Sequence, residues 1–279
     1  IKRMKMNYLL QFLFAAFLLI SCDREEIGEV AEEDQLVTKL SVRMLDPGAM
    51  PVNNAEMSYG FSYDGNQRLT KKVGGFLPVS GSTGYNFLYF SKKIQTEIQY
   101  NGNNAVVEDV STSPDFSVQK NTRNYTLNAQ NQIIGREIPN ANVYWFKKEV
   151  FVYKNGKLDE IKTTLPNMPY DPTDPDDHIF TYSEKFFYDS AGNLAKTEYL
   201  ELQDGVPSNY YKRVRLFENY DSSYNPFKRF ALLDNYFYRS LSKNNFRVYK
   251  EQTTENGSTL TSTREWSFNY DAGGNIILD

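Results

Sequence analysis

Apolar and polar residues alternate with period two over much of the chain, the pattern of half-buried β-strands. In LVTKLSVRML (36–45), Leu36, Leu40, Val42 and Met44 share one face, and folded structure is expected to begin there. The stretches YFSKKIQTEIQYNGN (89–103), RNYTLNAQNQIIGREI (123–138) and NVYWFKKEVFVYKNGKLDEIK (142–162) place β-forming residues between Asn/Gly turns. Helical spacing is best developed in PFKRFALLDNYFYRSL (226–241). There Phe230, Leu233, Phe237 and Leu241 follow one another at intervals of three and four behind Pro226. That spacing predicts a short helix or irregular helical turns.

One phrase recurs along the chain: FSYDGNQRLTKKV (61–73), FVYKNGKLDEIKT (151–163), FFYDSAGNLAKTEYL (186–200) and FNYDAGGNIILD (268–279). Looser copies are QYNGNNAVVEDV (99–110) and YTLNAQNQIIGREI (125–138). Each reads as a hairpin. A turn-opening Asp can accept hydrogen bonds from amides just ahead of it, and a glycine can take the positive φ that closes a short loop. The turn residues on this reading are Asp64 and Gly65, Asn155 and Gly156, then Asp189, Gly192 and Asn193, and last Asp271, Gly274 and Asn275. Asn155-Gly156 is the purest signal, since that dipeptide favours the type I′ turn. Tyr63, Tyr153, Tyr188 and Tyr270 precede the turns, and Leu69, Leu158, Leu194 and Ile276 follow them. The copies are irregularly spaced, so a strict solenoid is not expected. The fold class is all-β: an antiparallel sheet of successive hairpins, curved or open, with one short helical segment near 226–241.

The chain has 279 residues and a formal net charge of −4. Nothing basic is concentrated enough to track a phosphate backbone, which argues against nucleic-acid binding. The first residues differ from the rest. Lys2, Arg3 and Lys5 precede an apolar run from Tyr8 to Ile20, interrupted only by Gln11. That run is too short to span a bilayer comfortably and fits the core of a signal peptide. After Cys22, the only cysteine, DREEIGEVAEEDQ holds seven acids and one Arg in thirteen residues. A segment so charged buries too little apolar surface to offset its ordering entropy. The expected organisation is therefore a signal peptide at 1–21, an acidic flexible tether at 22–35 and one β-rich domain at 36–279. Losing residues 1–21 would leave 28 basic against 35 acidic residues, so charge would not hold the protein to an anionic surface. The chain begins at Ile1, with Met4 and Met6 as candidate starts, and stops inside a strand-like pattern, so the carboxyl end is expected to be truncated.

Leu19-Ile20-Ser21-Cys22 resembles the bacterial lipobox. The resemblance implies lipidation at Cys22, cleavage just before it and a membrane anchor through its acyl chains. The acids that follow, with Arg24 before Glu25-Glu26, resemble the surface-export signal of Bacteroidetes lipoproteins. Tyr-Asp followed by Gly-Asn and an apolar residue, as at 188–194 and 270–276, is similar to the YD repeat of Rhs-type shell proteins and teneurins, whose hairpins pair side by side. The whole chain resembles a group of uncharacterised Bacteroidetes lipoproteins that share a lipobox, such hairpins and a late NPF…LSKNN segment, here Asn225-Pro226-Phe227 and Leu241 to Asn245. That resemblance carries over no catalytic residue. A shell needs many tens of such hairpins, and six make one curved sheet.

Candidate chemistry is sparse. His178 is the only histidine, which excludes metal sites built on several His or Cys within one chain. It sits in YDPTDPDDHIF (170–180) without a Gly-x-Ser-x-Gly elbow. In the same loop Asp171, Asp174, Asp176 and Asp177 are hard oxygen ligands and a weak calcium candidate, lacking the EF-hand order. VSGSTGY (79–85) has no Gly-Lys-Ser/Thr and is not a phosphate cradle. No cofactor is expected. Paired carboxylates for glycoside hydrolysis are set by folding and leave no spacing to read. Tyr144, Trp145, Tyr210, Tyr211, Tyr236 and Tyr238 are candidates for an exposed aromatic cluster, although aromatics on strands more often pack in cores. The expected function is that of an envelope-anchored, surface-exposed outer-membrane lipoprotein acting as a binding or scaffold module for glycan, peptide or a partner envelope protein. The alternatives are a structural shell or assembly component and, behind it, a carboxylate-dependent hydrolase.

Overall fold

The structure, a computed structural model, describes residues 36–41, 49–51, 57–79, 86–119, 121–139 and 146–277. Cys22, the signal and tether segments, most of the 79–85 loop, Tyr144 and Trp145 lie outside the described residues. The strands begin with β1 (Lys39–Ser41), β2 (Ala49–Pro51), β3 (Ser58–Tyr63), β4 (Leu69–Val79), β5 (Asn86–Asn101) and β6 (Asn104–Ser111). They continue with β7 (Arg123–Leu127), β8 (Ile133–Ile138), β9 (Lys147–Lys154), β10 (Lys157–Thr164), β11 (Phe180–Tyr188), β12 (Leu194–Gln203) and β13 (Val206–Tyr220). Two 3₁₀ turns, Pro226–Phe230 and Asp234–Tyr236, run into a single helical turn, α1 (Phe237–Ser240). Then come β14 (Phe246–Glu255), β15 (Ser258–Glu265), β16 (Asn269–Tyr270) and β17 (Ile276–Ile277). Helical spacing at 226–241 thus resolves into irregular turns.

Among the described residues, fifteen strands form one sheet in which β1 is followed by β3 and then by each strand in sequence to β15. Every pair along that path is antiparallel, and β2 adds a parallel pair with β5. β16 and β17 form a separate hairpin. The sheet is open, with β1 and β15 as its edges. It is also bent. β13 lies ten places beyond β3, about 48 Å away at ordinary strand spacing. Yet Phe61 of β3 stacks on Phe230, with centroids 4.5 Å apart, and Phe217 of β13 meets Tyr238 at 5.5 Å. Eight residues in helical turns span only about 12–16 Å. Only a sheet folded around the 226–241 segment satisfies both contacts.

The core lies between that segment and the inner sheet face. Phe61, Leu69, Val107, Phe151, Leu158 and Phe186 are buried on the sheet side, and Phe227, Phe230, Leu232 and Leu233 face them. Each such side chain contributes about 1.5–3 kcal/mol on burial. Beyond this apolar zone runs a belt of paired charges. Asp234 accepts from Arg123 at 2.5 Å and from Arg136 at 2.9 Å, and Arg136 also donates to Glu149. Burial alone would lower the Arg136 pKa, but Glu149, Tyr125 and Asp234 beside it raise it. Arg215 likewise donates to Glu184, whose carboxylate also accepts from the Tyr238 hydroxyl.

The segment is held at its ends by the residues of the NPF…LSKNN phrase. Asn225 caps the first turn through the Phe227 amide and donates to the Arg239 and Ser242 carbonyls. Ser242 accepts from the Leu194 amide, and the Asn244 amide donates to Asn193. Arg239 is boxed by Phe246 and Trp266, with its guanidinium 4.0 and 4.4 Å from the ring centroids. Burial lowers its pKa to about 10. Among the described residues no helix is long and apolar enough to cross a membrane.

Candidate functional site

Two kinds of turn recur among the hairpins. β9–β10, β12–β13 and β14–β15 use Asn155-Gly156, Asp204-Gly205 and Asn256-Gly257, with both residues at positive φ. These are type I′ turns, whose twist matches the strands. β3–β4, β7–β8, β11–β12 and β16–β17 share a five-residue loop opened by Asp64, Asn128, Asp189 and Asp271. In each the opening side chain accepts from the amide four residues on, at 2.8–2.9 Å. The fourth loop residue takes positive φ: Gln67, Asn131, Gly192 and Gly274. Gly65 lies in its turn but does not hold the left-handed position, which falls to Gln67 at φ 58°.

Four tyrosines near strand ends have a further role. Tyr100, Tyr153 and Tyr220 donate to the carbonyls of Leu69, Ile133 and Leu194, the first residues of the preceding strands. Tyr63 donates likewise to Val37, just ahead of β1. The first three hydroxyls thereby partner carbonyls at the ends of ladders. This rule was invisible in the sequence, because the partners lie 20 to 31 residues away.

Hairpin tips of β3–β4, β7–β8 and β9–β10 meet the underside of the 226–241 segment around a cavity of about 480 Å³. That size is within the range of ligand pockets. Its floor is Leu69, Leu127, Ile133 and Leu158, and its opposite wall is Ala231, Leu232, Phe237 and Leu241. Tyr100, Tyr153 and Tyr188 line it between floor and rim. The rim carries four cations, Arg68, Lys157, Lys228 and Arg229, and the carboxamides of Asn66, Gln67, Gln130, Asn131 and Gln132. No carboxylate belongs to the described lining.

Arg68 is paired with Asp64 at 2.8 Å and lies 4.0 Å over the Tyr100 ring. Arg229 donates to the Gln67 backbone carbonyl and side chain at 3.2 and 3.0 Å, tying the segment to the first turn. The Lys157 ammonium sits 4.9 Å from the Tyr188 ring centroid, and that of Lys228 sits 4.5 Å from Tyr224. Burial pushes the Tyr100 and Tyr153 hydroxyls up to about 12. Neither can act as a base near neutral pH.

The other candidates are scattered. Tyr236 and Tyr238 pack in the core against Phe227 and Phe217 and are not exposed; burial raises both pKa values. Tyr211 belongs to a ladder with Tyr199 and Tyr182, at 6.0 and 5.6 Å, while Tyr210 is 60% exposed. These four do not form the expected cluster, because the helical turns that carry Tyr236 and Tyr238 face the sheet.

Asp171, Asp174, Asp176 and Asp177 do not converge either. Asp171 accepts from Thr173, Asp174 from the Asp176 amide and Asp177 from the Asp171 amide, so three of them cap local turns. No group of three His, Cys, Asp or Glu capable of holding a metal occurs among the described residues. His178 pairs with Asp204 at 2.8 Å on the surface. The inner-face carboxylates Glu149 and Glu184 are each engaged by an arginine.

Lys157, Lys228, Gln130 and Asn131 were not singled out by sequence reasoning. The one available signal was that Lys157, Gln130 and Asn131 belong to copies of the repeated phrase.

No protein-family model matches the chain, and no curated protein does. Among solved structures it is similar to a porin-like protein from Bacteroides uniformis, at 13% identity and a TM-score of 0.44, over 78% of this chain and 80% of that one. A porin-like protein from Bacteroides vulgatus is similar at 13% identity and a TM-score of 0.41, over 86% of this chain and 90% of that one. Similarity at this level carries no argument about how the chain acts.

Proposed function

We propose that this chain is an envelope-anchored lipoprotein, displayed at the outer membrane, whose bent sheet serves as a binding module for a glycan, a peptide or a partner envelope protein. The cavity at the hairpin tips is its binding site. The observation that carries this reading is the rim: four cations and five carboxamides gathered around an apolar floor, with no carboxylate in the described lining. A few convergent polar groups over an apolar floor are what ligand sites require, whereas hydrolysis by paired carboxylates requires acids that are missing from this rim. The lipobox-like Leu19–Cys22 and the acidic run after it support anchoring and display.

The anchor is tested by Cys22→Ala. Lipid labelling should disappear, leaving an uncleaved precursor or an unanchored product; a cleaved mature form that still fractionates with membranes would refute the anchor. Binding at the cavity is tested by filling it with Ala231→Phe, which should abolish ligand binding while leaving the circular dichroism spectrum unchanged.

A second reading, an assembly component, draws on β15. All eight of its residues are exposed, Leu260 at 78%, and it forms an edge of the sheet. Unprotected edges accept further strands. If the edge assembles, Thr261→Pro should convert an oligomer to a monomer in sedimentation; a wild-type monomer at all concentrations would remove this reading.

A further inference from the structure

We infer that the cavity takes an acidic saccharide, a sugar unit bearing a carboxylate or sulfate. This rests on the reading of the cavity as the binding site. In the charge belt of the inner face Arg123, Arg136 and Arg215 each meet two carboxylates. At the cavity Arg68 keeps such a partner in Asp64, but the two lysines do not. Lys157 and Lys228 make no ion pair among the described residues and rest only on tyrosine faces. On a chain of net charge −4, these two lysines, in a described lining that holds no carboxylate, set a local potential opposite to that of the whole molecule. Such a rim attracts an anion to one place.

The carboxamides select what carries the anion. Gln132 is used internally, donating to the Gly156 carbonyl and accepting from Asn128. The side-chain amides of Asn66, Gln130 and Asn131 have no partner among the described residues. A planar amide offers donor and acceptor side by side, which matches adjacent sugar hydroxyls. Lysine supplies a point charge suited to a carboxylate or sulfate. An acidic peptide fits less well. A peptide that binds by strand addition needs a free edge, and the walls here are side chains of paired strands and of the 226–241 segment.

Titration calorimetry on the detergent-solubilised protein tests this with four probes: tetragalacturonate, its neutral counterpart galactotetraose, inorganic sulfate and polyglutamate. Tetragalacturonate should bind about tenfold more tightly than any of the others. Its affinity should fall with added salt and drop about tenfold in the Lys157→Gln/Lys228→Gln variant. The Lys157→Arg/Lys228→Arg variant keeps the charge and should restore most of the affinity.

Equal affinity for galactotetraose, or no loss in the glutamine variant, overturns the acidic part. Sulfate binding as tightly as tetragalacturonate reduces the site to an anion site and overturns the saccharide part. Preference for polyglutamate over every saccharide, or no binding of any probe, also overturns the inference. Ala231→Phe separates the two levels. Neutral binding lost in that variant leaves the cavity as the site and removes only its preference for acid. Tetragalacturonate binding that survives it places the site elsewhere and removes the cavity reading itself.

Discussion

Gly192 holds φ at +93°, and a Cβ there would lie 3.5 Å from the Lys157 ammonium. Space is thus adequate, and the constraint is the backbone. Gly192→Val should destabilise the fold by about 1–3 kcal/mol, whereas Ser190→Val, in the same loop without positive φ, should cost far less. Urea denaturation of the two variants checks this; equal tolerance would remove the argument for the loop. Such positions were legible because glycine announces them. Gln67 and Asn131 occupy the same left-handed position without announcing it, since the opening Asp or Asn fixes the loop through its own hydrogen bonds. The tyrosine hydroxyls were not legible either. Tyr220→Phe removes a donor from the Leu194 carbonyl and a contact to Ser242. It should cost about 0.5–1.5 kcal/mol by the same assay, with no change in sheet content.

The 226–241 segment decides what the hairpins can become. Pro226 and the spacing of Phe230, Leu233 and Phe237 were readable as helical, and Asn225 supplies the cap. What broke the helix into short turns was not readable. The segment must present Phe230 to β3, Phe237 to β9 and β11, and Tyr238 to β13, and one continuous helical stripe does not reach so many strands. Its charge partners were equally hidden, because Asp234 meets arginines 111 and 98 residues away. Asp234→Asn leaves the guanidinium of Arg123, whose side chain is 6% exposed, with only Asp109. The expected cost is about 1–3 kcal/mol, read as a lower urea midpoint at unchanged slope. A midpoint equal to that of the wild type would mean that the pairing does not hold the segment.

Over the whole molecule, one prediction follows from how many tyrosines the fold keeps from water. Tyr63, Tyr100 and Tyr153 are pushed up to about 12, from an ordinary value of 10.0, chiefly by burial. Below pH of about 10 both folded and unfolded chains keep these protons. Between about 10 and 12 the unfolded chain releases them and the native one does not, so their stabilisation is lost as pH rises through that window. The thermal midpoint should hold steady up to about pH 10 and fall above it; a midpoint unchanged to about pH 12 would mean that these hydroxyls are not buried together. The hairpin succession was legible in the sequence because each turn is local. The bend and the cavity were not, because they arise where distant turns converge on one segment. The claim that joins all of this is that sheet and segment form one cooperative structure. Native-state hydrogen exchange in rising denaturant measures it directly. The Leu233 and Tyr236 amides, bonded to the Phe230 and Leu233 carbonyls, should open with the same free energy as the amides of Phe151 and Phe186. If the segment amides exchange at a much lower free energy while the strands stay protected, the segment is a loop draped on a sheet that stands without it, and the account fails.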